Sequence, residues 1–296
     1  MSDHVTLYEV GPRDGLQNEA QNVPTDIKLS LIAQLKDAGL TQIEATSFVA
    51  PKWVPQMADH NEIMAALKND LDVSYPVLVP NMHGMQEAMS HDVRSIALFT
   101  AASESFTQKN INCSIAESFE RFAPIMEQAS EKQIKVRGYV SCIAGCPYEG
   151  KITIDAVVDT AAKLYAAGCY EISLGDTIGV GTPNQIKQII AAVKTAVPIE
   201  HIALHCHDTY GQALANIYAG LESGVRVIDS SIAGLGGCPY AKGASGNVAT
   251  EDVAYMLSGL GFDTGLDLDK LVKAAWFISD YLGRKPAGHV ANALKI

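Results

Sequence analysis

Residues 202–231 read IALHCHDTYGQALANIYAGLESGVRVIDSS and contain a strand, a helix and a second strand in succession. Apolar runs predict the two strands over Ile202–His207 and Val227–Ser231. Between them, apolar residues recur at helical spacing over Gln212–Ser223, and the following Gly224 is typical of the glycine that ends a helix. Because strands that alternate with helices pair in parallel, this segment predicts an α/β protein.

The same alternation continues along the rest of the chain. Eight strands are predicted, namely Val5–Val10, Gln42–Ala45, Val73–Val79, Ser95–Thr100, Lys135–Val140, Tyr170–Leu174, Ile202–His207 and Val227–Ser231. The clearest helices are Thr25–Ala38, Ser114–Glu131, Ile154–Ala167, Pro183–Ala196, Gln212–Ser223 and Ala249–Leu257. An eightfold repeat favours a closed (β/α)8 TIM barrel. An open doubly wound sheet is the alternative, but no Gly-x-Gly-x-x-Gly follows the first strand.

No polar linker divides the chain, so residues 1–296 are expected to form a single catalytic domain. The segment after Leu266 predicts one or two further helices. We expect residues 267–296 to form a C-terminal helical extension that packs on the outside of the barrel.

Charge and composition exclude several classes of protein. The formal net charge is −11, and an acidic surface repels phosphate backbones, so nucleic acid is not an expected partner. No run of about 18 apolar residues is present, so no membrane span is expected. The first residues lead straight into a strand pattern, which predicts neither a signal nor a transit peptide. Six cysteines without Cys-x-x-Cys spacing are typical of a reduced, cytoplasmic protein that lacks a structural zinc site.

Polar residues collect where predicted strands end, and this is the end at which TIM barrels carry their active sites. His205 and His207 are two apart near the end of strand seven, so both imidazoles point to the same side. Asp14 follows strand one and Asn247 follows strand eight, and these strands are neighbours in a closed barrel. Two nitrogen and two oxygen ligands suit Mg²⁺, Mn²⁺ or a transition metal with open coordination positions.

Other strand ends carry candidates for catalysis and substrate binding. Arg13 is adjacent to Asp14 at the end of strand one, and such a pair is either part of a site or a surface ion pair in a solvated turn. Glu44 and Asp176 could orient Arg13 or a bound water in a metal site, or, as isolated acids, cap a helix or contact solvent in a loop.

Cys238 lies in a glycine-rich loop after strand eight, where it is either a catalytic thiol or a packing residue. Cys142 and Cys146 follow strand five and could also be packing residues. Cys113, Cys169 and Cys206 are expected to pack in the core.

Several of these segments together resemble the 3-hydroxy-3-methylglutaryl-CoA lyase family, part of a group of metal-dependent barrel enzymes that includes isopropylmalate and homocitrate synthases. The matching motifs are GPRDGLQNE at 11–19, SFVAPKWVPQM at 47–57, GYVSCIAGCPYEG at 138–150, HCHDTYGQALAN at 205–216 and SIAGLGGCPY at 231–240. The Arg-Asp-Gly and His-x-His elements mark the broader group, whereas the loop around Cys238 distinguishes the lyases from the synthases.

The resemblance implies a retro-Claisen cleavage of (S)-3-hydroxy-3-methylglutaryl-CoA to acetyl-CoA and acetoacetate, in leucine degradation. It implies that Asp14, His205, His207 and Asn247 bind Mg²⁺ or Mn²⁺, that Arg13 contacts the acyl group and that Cys238 is catalytic. With this resemblance we also assign Gln17 and Glu44 to substrate binding, and Arg13 and Asp14 to catalysis. A homo-oligomer, with a dimer as one form, is expected. Animal members carry a mitochondrial leader and a cysteine near the C-terminus, and this sequence shows neither, so we expect a bacterial cytosolic enzyme without a tail thiol switch.

Three other interpretations remain open from the sequence. The chain could be an acetyl-CoA-dependent synthase that condenses a 2-oxo acid, although it has no additional segment of about 100 residues for a regulatory domain. It could be a lyase of the same family that acts on another 3-hydroxyacyl-CoA, because small changes in a pocket alter acyl selectivity by only ~1–3 kcal/mol. It could also be a non-catalytic acyl-CoA sensor.

Overall fold

The computed structural model describes residues 3–236 and 246–295, and within them nine parallel strands curl into a barrel. The strands are β1 (Thr6–Glu9), β2 (Gln42–Ile43), β3 (Thr46–Ser47), β4 (Val77–Leu78), β5 (Ser95–Ala101), β6 (Lys135–Ser141), β7 (Glu171–Asp176), β8 (Ile202–Cys206) and β9 (Val227–Ser230). Their order is β2-β1-β9-β8-β7-β6-β5-β4-β3. The predicted α/β class with parallel pairing is confirmed.

The barrel closes at β2 and β3, two short segments that together form one of its eight barrel strands. β2 pairs with β1, and β3 pairs with β4 on the opposite side. Between them, the Glu44 amide donates to the Glu9 carbonyl (2.8 Å) and the Ala45 amide donates to the Pro76 carbonyl (3.0 Å). The Ile43 amide also donates to the Ser74 carbonyl (3.0 Å), so alternate amides along residues 43–45 bond the two neighbouring strands. The predicted strand over Gln42–Ala45 thus has both neighbours of a closed eightfold barrel, which is preferred over the open sheet.

Helices surround the barrel and follow the strands along the chain. In the described ranges they are α1 (Thr25–Asp37), α2 (His60–Leu67), α3 (Met82–Ser90), α4 (Glu104–Ile111), α5 (Ile115–Glu131), α6 (Ile154–Ala166), α7 (Pro183–Val193), α8 (Ala213–Glu222), α9 (Thr250–Gly259), α10 (Leu268–Tyr281) and α11 (His289–Ala293). Gly224 follows α8 with a φ of +103°, as the glycine-terminated helix predicts.

The predicted C-terminal helices are present and pack on the barrel. One hydrophobic core runs from Val5 to Ala291 and includes Leu271 of α10. The Asp252 carboxylate accepts hydrogen bonds from the His289 (2.9 Å) and Val290 (2.7 Å) amides, which fixes the start of α11 against α9. Among the described residues, no helix is long and apolar enough to cross a membrane.

Candidate metal centre and active site

Asp14 is brought to the mouth of the barrel by a wide helical turn, Gly11–Gly15, directly after β1. The buried Glu9 carboxylate fixes this turn by accepting the Gly11 amide (2.8 Å), and it also accepts the Ile232 amide (2.8 Å). A Cβ at Gly11 would lie only 2.5 Å from Glu9 Oε1, so the turn requires glycine there. Glu9 thereby joins the strand-one turn to the segment after β9.

The predicted metal ligands Asp14, His205 and His207 converge on one point. One ligand atom from each lies within 4.8 Å of the others, and in the described part of the chain no other group of His, Cys, Asp and Glu does so. The two imidazole rings are 5.2 Å apart because alternate residues at the end of β8 face the same side.

Asn247 also reaches this point, as expected from the neighbouring strands. Its backbone bridges to that of His207, and its Nδ2 donates to Asp14 Oδ2 (2.8 Å) and to the Leu235 carbonyl (3.2 Å). With Nδ2 used in this way, Oδ1 is the atom of this side chain that could ligate a cation.

The electrostatics of the cluster fit a bound cation. Burial, and then the neighbouring His205, lower the pKa of His207 to about 4, so this ring is neutral at physiological pH. The buried His207 Nδ1 has no hydrogen-bond partner among the described residues. Burial opposes ionisation of Asp14, but Arg13 and His205 hold its pKa below the ordinary value. A neutral imidazole with an unpaired nitrogen beside an ionised carboxylate is a suitable donor set for a divalent metal.

His205 differs from His207 because a carboxylate lies behind it. Burial alone would lower the pKa of His205, but the hydrogen bond from Nδ1 to Asp229 (3.3 Å) and the charge of that carboxylate raise it. Nε2 of this ring is then left for the cluster, where a proton and a cation would compete for the same lone pair.

Arg13 lies beside the metal cluster and is held by two carboxylates. Its Nη1 donates to Asp14 Oδ1 (2.9 Å) and its Nη2 donates to Glu44 Oε2 (3.0 Å). The Tyr139 hydroxyl donates to the same Glu44 oxygen (2.9 Å), and the guanidinium carbon is 5.7 Å from the Tyr139 ring centroid. Glu44 is fully buried behind Arg13, so its geometry is that of a residue that orients the guanidinium.

Asp176 has no hydrogen bond with Arg13 among the described residues, and it has the contacts expected of an isolated acid that binds its own loop. Its carboxylate accepts hydrogen bonds from the Val180 (3.2 Å) and Gly181 (2.9 Å) amides and fixes the loop after β7. The acid therefore binds the nearest backbone donors, which the short, glycine-rich loop presents to it.

A pocket of about 180 Å³ opens beside these residues and continues into a larger groove of about 1160 Å³. Gln17, Leu78 and Phe99 line both cavities. The groove carries Lys52, Trp53, Lys109 and Arg121, so three cations and an exposed aromatic ring surround it.

All five cysteines in the described part of the chain are buried. Cys238 lies outside the described residues. Cys142 and Cys146 are buried, and the Cys146 sulfur accepts a hydrogen bond from Ser103 Oγ (3.0 Å). The predicted packing cysteines, Cys113, Cys169 and Cys206, are all buried.

Sequence reasoning missed the inward-facing residues of the barrel, namely Tyr8, Arg137, Tyr139, Ser173 and Asp229. A charged residue inside an apolar strand, such as Arg137 in β6 or Asp229 in β9, was the available signal. Both faces of a parallel strand are buried, so the pattern alone does not separate the barrel interior from the face under the helices.

Comparison with known proteins places the chain among well-described relatives. The HMGL-like family model matches residues 4–278. The mitochondrial hydroxymethylglutaryl-CoA lyase of Rattus norvegicus is 58% identical over 289 residues, which are 98% of this chain and 89% of that protein. The crystal structure of hydroxymethylglutaryl-CoA lyase from Pseudomonas aeruginosa has a TM-score of 0.97 and 52% identity over 100% of this chain and 98% of that one. An HMG-CoA lyase from Acinetobacter baumannii, solved with coenzyme A and 3-methylmalate, has a TM-score of 0.94 and 37% identity over 99% and 96% of the two chains.

Proposed function

This chain belongs to the HMGL-like family, and from that membership we propose that it is a carbon–carbon lyase that cleaves (S)-3-hydroxy-3-methylglutaryl-CoA to acetyl-CoA and acetoacetate. The observation that carries the proposal is the convergence of Arg13, Asp14, His205 and His207 on one pocket that adjoins a larger groove. Such a pocket suits a reacting acyl group, and such a groove suits a long substrate arm.

The HMG-CoA lyase family depends on a divalent metal, and we propose Mg²⁺ or Mn²⁺ as the ion here. Asp14, His205, His207 and Asn247 would hold it. When bound, the cation lowers the pKa of the tertiary hydroxyl of the substrate and orients the substrate through its oxygens. The unpaired Nδ1 of His207 and the ionised Asp14 support this set of ligands.

Different residues of the pocket act at different steps of the reaction. A base of the cluster, either Asp14 or a histidine, takes the proton of the C3 hydroxyl. As the C3–O bond becomes the ketone of acetoacetate, the C2–C3 bond breaks and its electron pair passes to the thioester as an enolate. The Arg13 guanidinium, held by Asp14 and Glu44, stabilises the charge on the enolate oxygen. A proton then adds to C2 and gives acetyl-CoA.

We propose Cys238 as the group that donates this proton to C2, because its loop resembles that of the lyase family. A Cys238→Ala variant is expected to melt within a few degrees of the parent and to lose most of its turnover. Cys142→Ala is the matched control, because this thiol is buried against Cys146 and Phe106 and is expected to be dispensable for turnover. Near-parental kcat in Cys238→Ala would leave the thiol without an essential chemical role.

Coenzyme A is proposed to lie in the groove. Lys52, Lys109 and Arg121 supply positive charge for its phosphates on a chain that is acidic overall. Trp53 is 75% exposed beside Lys52 and offers a ring face for stacking. Gln17, which lines both cavities, is placed to contact the substrate where the acyl group meets the arm.

A coupled assay of acetyl-CoA release tests the proposal. The 3-hydroxy-3-methylglutaryl ester is expected to give the highest kcat/KM among several 3-hydroxyacyl-CoA esters, and only with Mg²⁺ or Mn²⁺ present. A higher kcat/KM with another ester would show that the chain is a lyase of the same type with a different acyl-CoA substrate. A place in leucine degradation, a cytoplasmic location and a homo-oligomeric state stay predictions.

A further inference from the structure

A cluster of buried charges lies inside the barrel, behind the metal-binding residues. Arg137 of β6 is fully buried, and its Nη1 and Nη2 donate to the two oxygens of Asp229 of β9 (3.0 and 2.7 Å). Its Nε donates to Glu171 Oε1 (2.6 Å). The guanidinium carbon is 3.9 Å from the Tyr8 ring centroid and 4.9 Å from that of Tyr139. Two carboxylates and two aromatic rings thus hold one arginine, in an arrangement that the proposed reaction does not itself use.

A hydrogen bond joins this cluster to the metal centre. Asp229 Oδ2 lies 3.3 Å from His205 Nδ1 and also accepts Ser173 Oγ (2.7 Å). We propose that Asp229 is a positioning residue, which holds His205 as the Nδ1–H tautomer and so directs the lone pair of Nε2 at the cation. A carboxylate accepts and cannot donate, so it admits only this tautomer of the neutral ring. Histidines that bind metals commonly donate their second N–H to such a group.

Hydrogen bonds from Arg137 and Ser173 fix the position of the Asp229 carboxylate. The fork of Arg137 matches both carboxylate oxygens, and the ring stack of Tyr8 and Tyr139 prevents the guanidinium from turning. Ser173 adds a third donor. The orientation of His205 is therefore set by the barrel interior, whereas His207 has no such partner on its Nδ1 among the described residues.

Glu171 offers a matched control, because it bonds Arg137 from the other side and has no contact with His205 among the hydrogen bonds of the described residues. Both Asp229→Asn and Glu171→Gln remove one buried negative charge from the same arginine. Only Asp229→Asn removes the carboxylate from the imidazole.

The test is the dissociation constant of Mn²⁺, measured by EPR titration in the absence of any acyl-CoA. Asp229→Asn is expected to bind Mn²⁺ about 10–100-fold more weakly than the parent, on the scale of lost partners of metal ligands. Glu171→Gln is expected to bind it as the parent does. Equal weakening in both variants, or none in Asp229→Asn, would overturn the proposal. The readout uses no substrate, so it is independent of whether the chain cleaves 3-hydroxy-3-methylglutaryl-CoA.

A second measurement is made on the parent protein, so it does not depend on Asp229→Asn folding. In ¹⁵N-histidine-labelled parent protein with Mg²⁺, NMR at pH 8 is expected to show His205 with the proton on Nδ1, with the signal assigned by its loss in His205→Gln. A proton on Nε2 of His205 in the parent would refute the proposal. Where Asp229→Asn folds, a mixture of tautomers at His205 is expected in place of the single form.

Discussion

Two arginines contact the same tyrosine ring, and they differ in how completely they are paired. Arg13 at the barrel mouth and Arg137 in its interior lie 5.7 and 4.9 Å from the Tyr139 ring centroid, and each bonds two carboxylates. All three nitrogens of Arg137 donate hydrogen bonds. At the mouth, the Arg13 Nε and the Glu44 Oε1 have no partner among the described residues.

This difference separates a structural ion cluster from a reactive one. Buried polar groups are nearly always paired in a folded protein, so each unpaired atom needs an explanation. The unpaired atoms near the mouth include the Arg13 Nε, the Gln17 Oε1 and the His207 Nδ1, and all three residues line the pocket. The interior cluster therefore supports the fold, and the mouth retains capacity to bind a charged ligand.

The largest expected effect is on stability, from Arg137→Met. The substitution leaves the buried Asp229 and Glu171 without their cation, which costs about 3–5 kcal/mol when one partner of a buried pair is removed. Urea denaturation is expected to show this loss in the free energy of unfolding. Lys187→Met, which breaks an exposed pair with Glu222, should leave the unfolding midpoint at the parental value. Similar midpoints for the two variants would contradict a structural role for the interior cluster.

The next effect is on turnover, from Arg13→Lys. Lysine keeps the charge but loses the planar fork that bridges Asp14 and Glu44. We expect kcat to fall by roughly 10²-fold or more, on the scale of a lost oxyanion donor, with the melting temperature close to that of the parent.

Steady-state kinetics distinguishes a loss of transition-state stabilisation by Arg13→Lys from a loss of substrate binding. Arg121→Lys in the groove is the comparison, and it should raise KM for the CoA ester with little change in kcat. An Arg13→Lys enzyme with an unchanged kcat and a raised KM would show that the arginine binds the ground state alone.

A smaller effect, on the pH dependence of stability, is expected from Glu251. Its Oε1 has no hydrogen-bond partner among the described residues, and it does not line the pocket. Burial raises the pKa of Glu251 to about 8, against about 4.5 for an exposed glutamate. The folded state therefore holds this proton more tightly, so the free energy of unfolding decreases as the pH rises from about 4.5 to about 8. Glu251→Gln removes this contribution, and its stability should depend less steeply on pH in that window. Chemical denaturation at several pH values measures the slope, and parallel curves for the two proteins would contradict the assignment.

The sequence predicted the barrel mouth better than the barrel interior. Asp14, His205, His207 and Asn247 were identified because the carboxyl ends of parallel strands meet at one end of a barrel, so polar residues there must come together. Arg137 and Asp229 were missed because each is a single charge in an apolar strand, and only the closed barrel shows that they meet. For Asp176 the sequence left open a role beside Arg13 or a bound water and a role within its own loop, and only the structure shows that the backbone amides of Val180 and Gly181 bind it.

Short elements were also less predictable than long ones. β2 and β3 were predicted as one strand over Gln42–Ala45, and the hydrogen bonds that place this segment between β1 and β4 come from residues far away in the sequence. The helices α2, α3 and α4 were absent from the clearest predictions, and each spans only eight or nine residues. Such lengths give a weak periodic signal.

Anomalous scattering from crystals grown with Mn²⁺ tests directly whether a metal binds at the barrel mouth. We predict one strong manganese peak at the barrel mouth, within coordination distance of Asp14, His205 and His207, with the Asn247 amide oxygen turned toward it. A peak elsewhere in the chain, or none at the mouth in crystals of protein that releases acetyl-CoA only with Mn²⁺, would contradict the central claim that these residues form the metal centre.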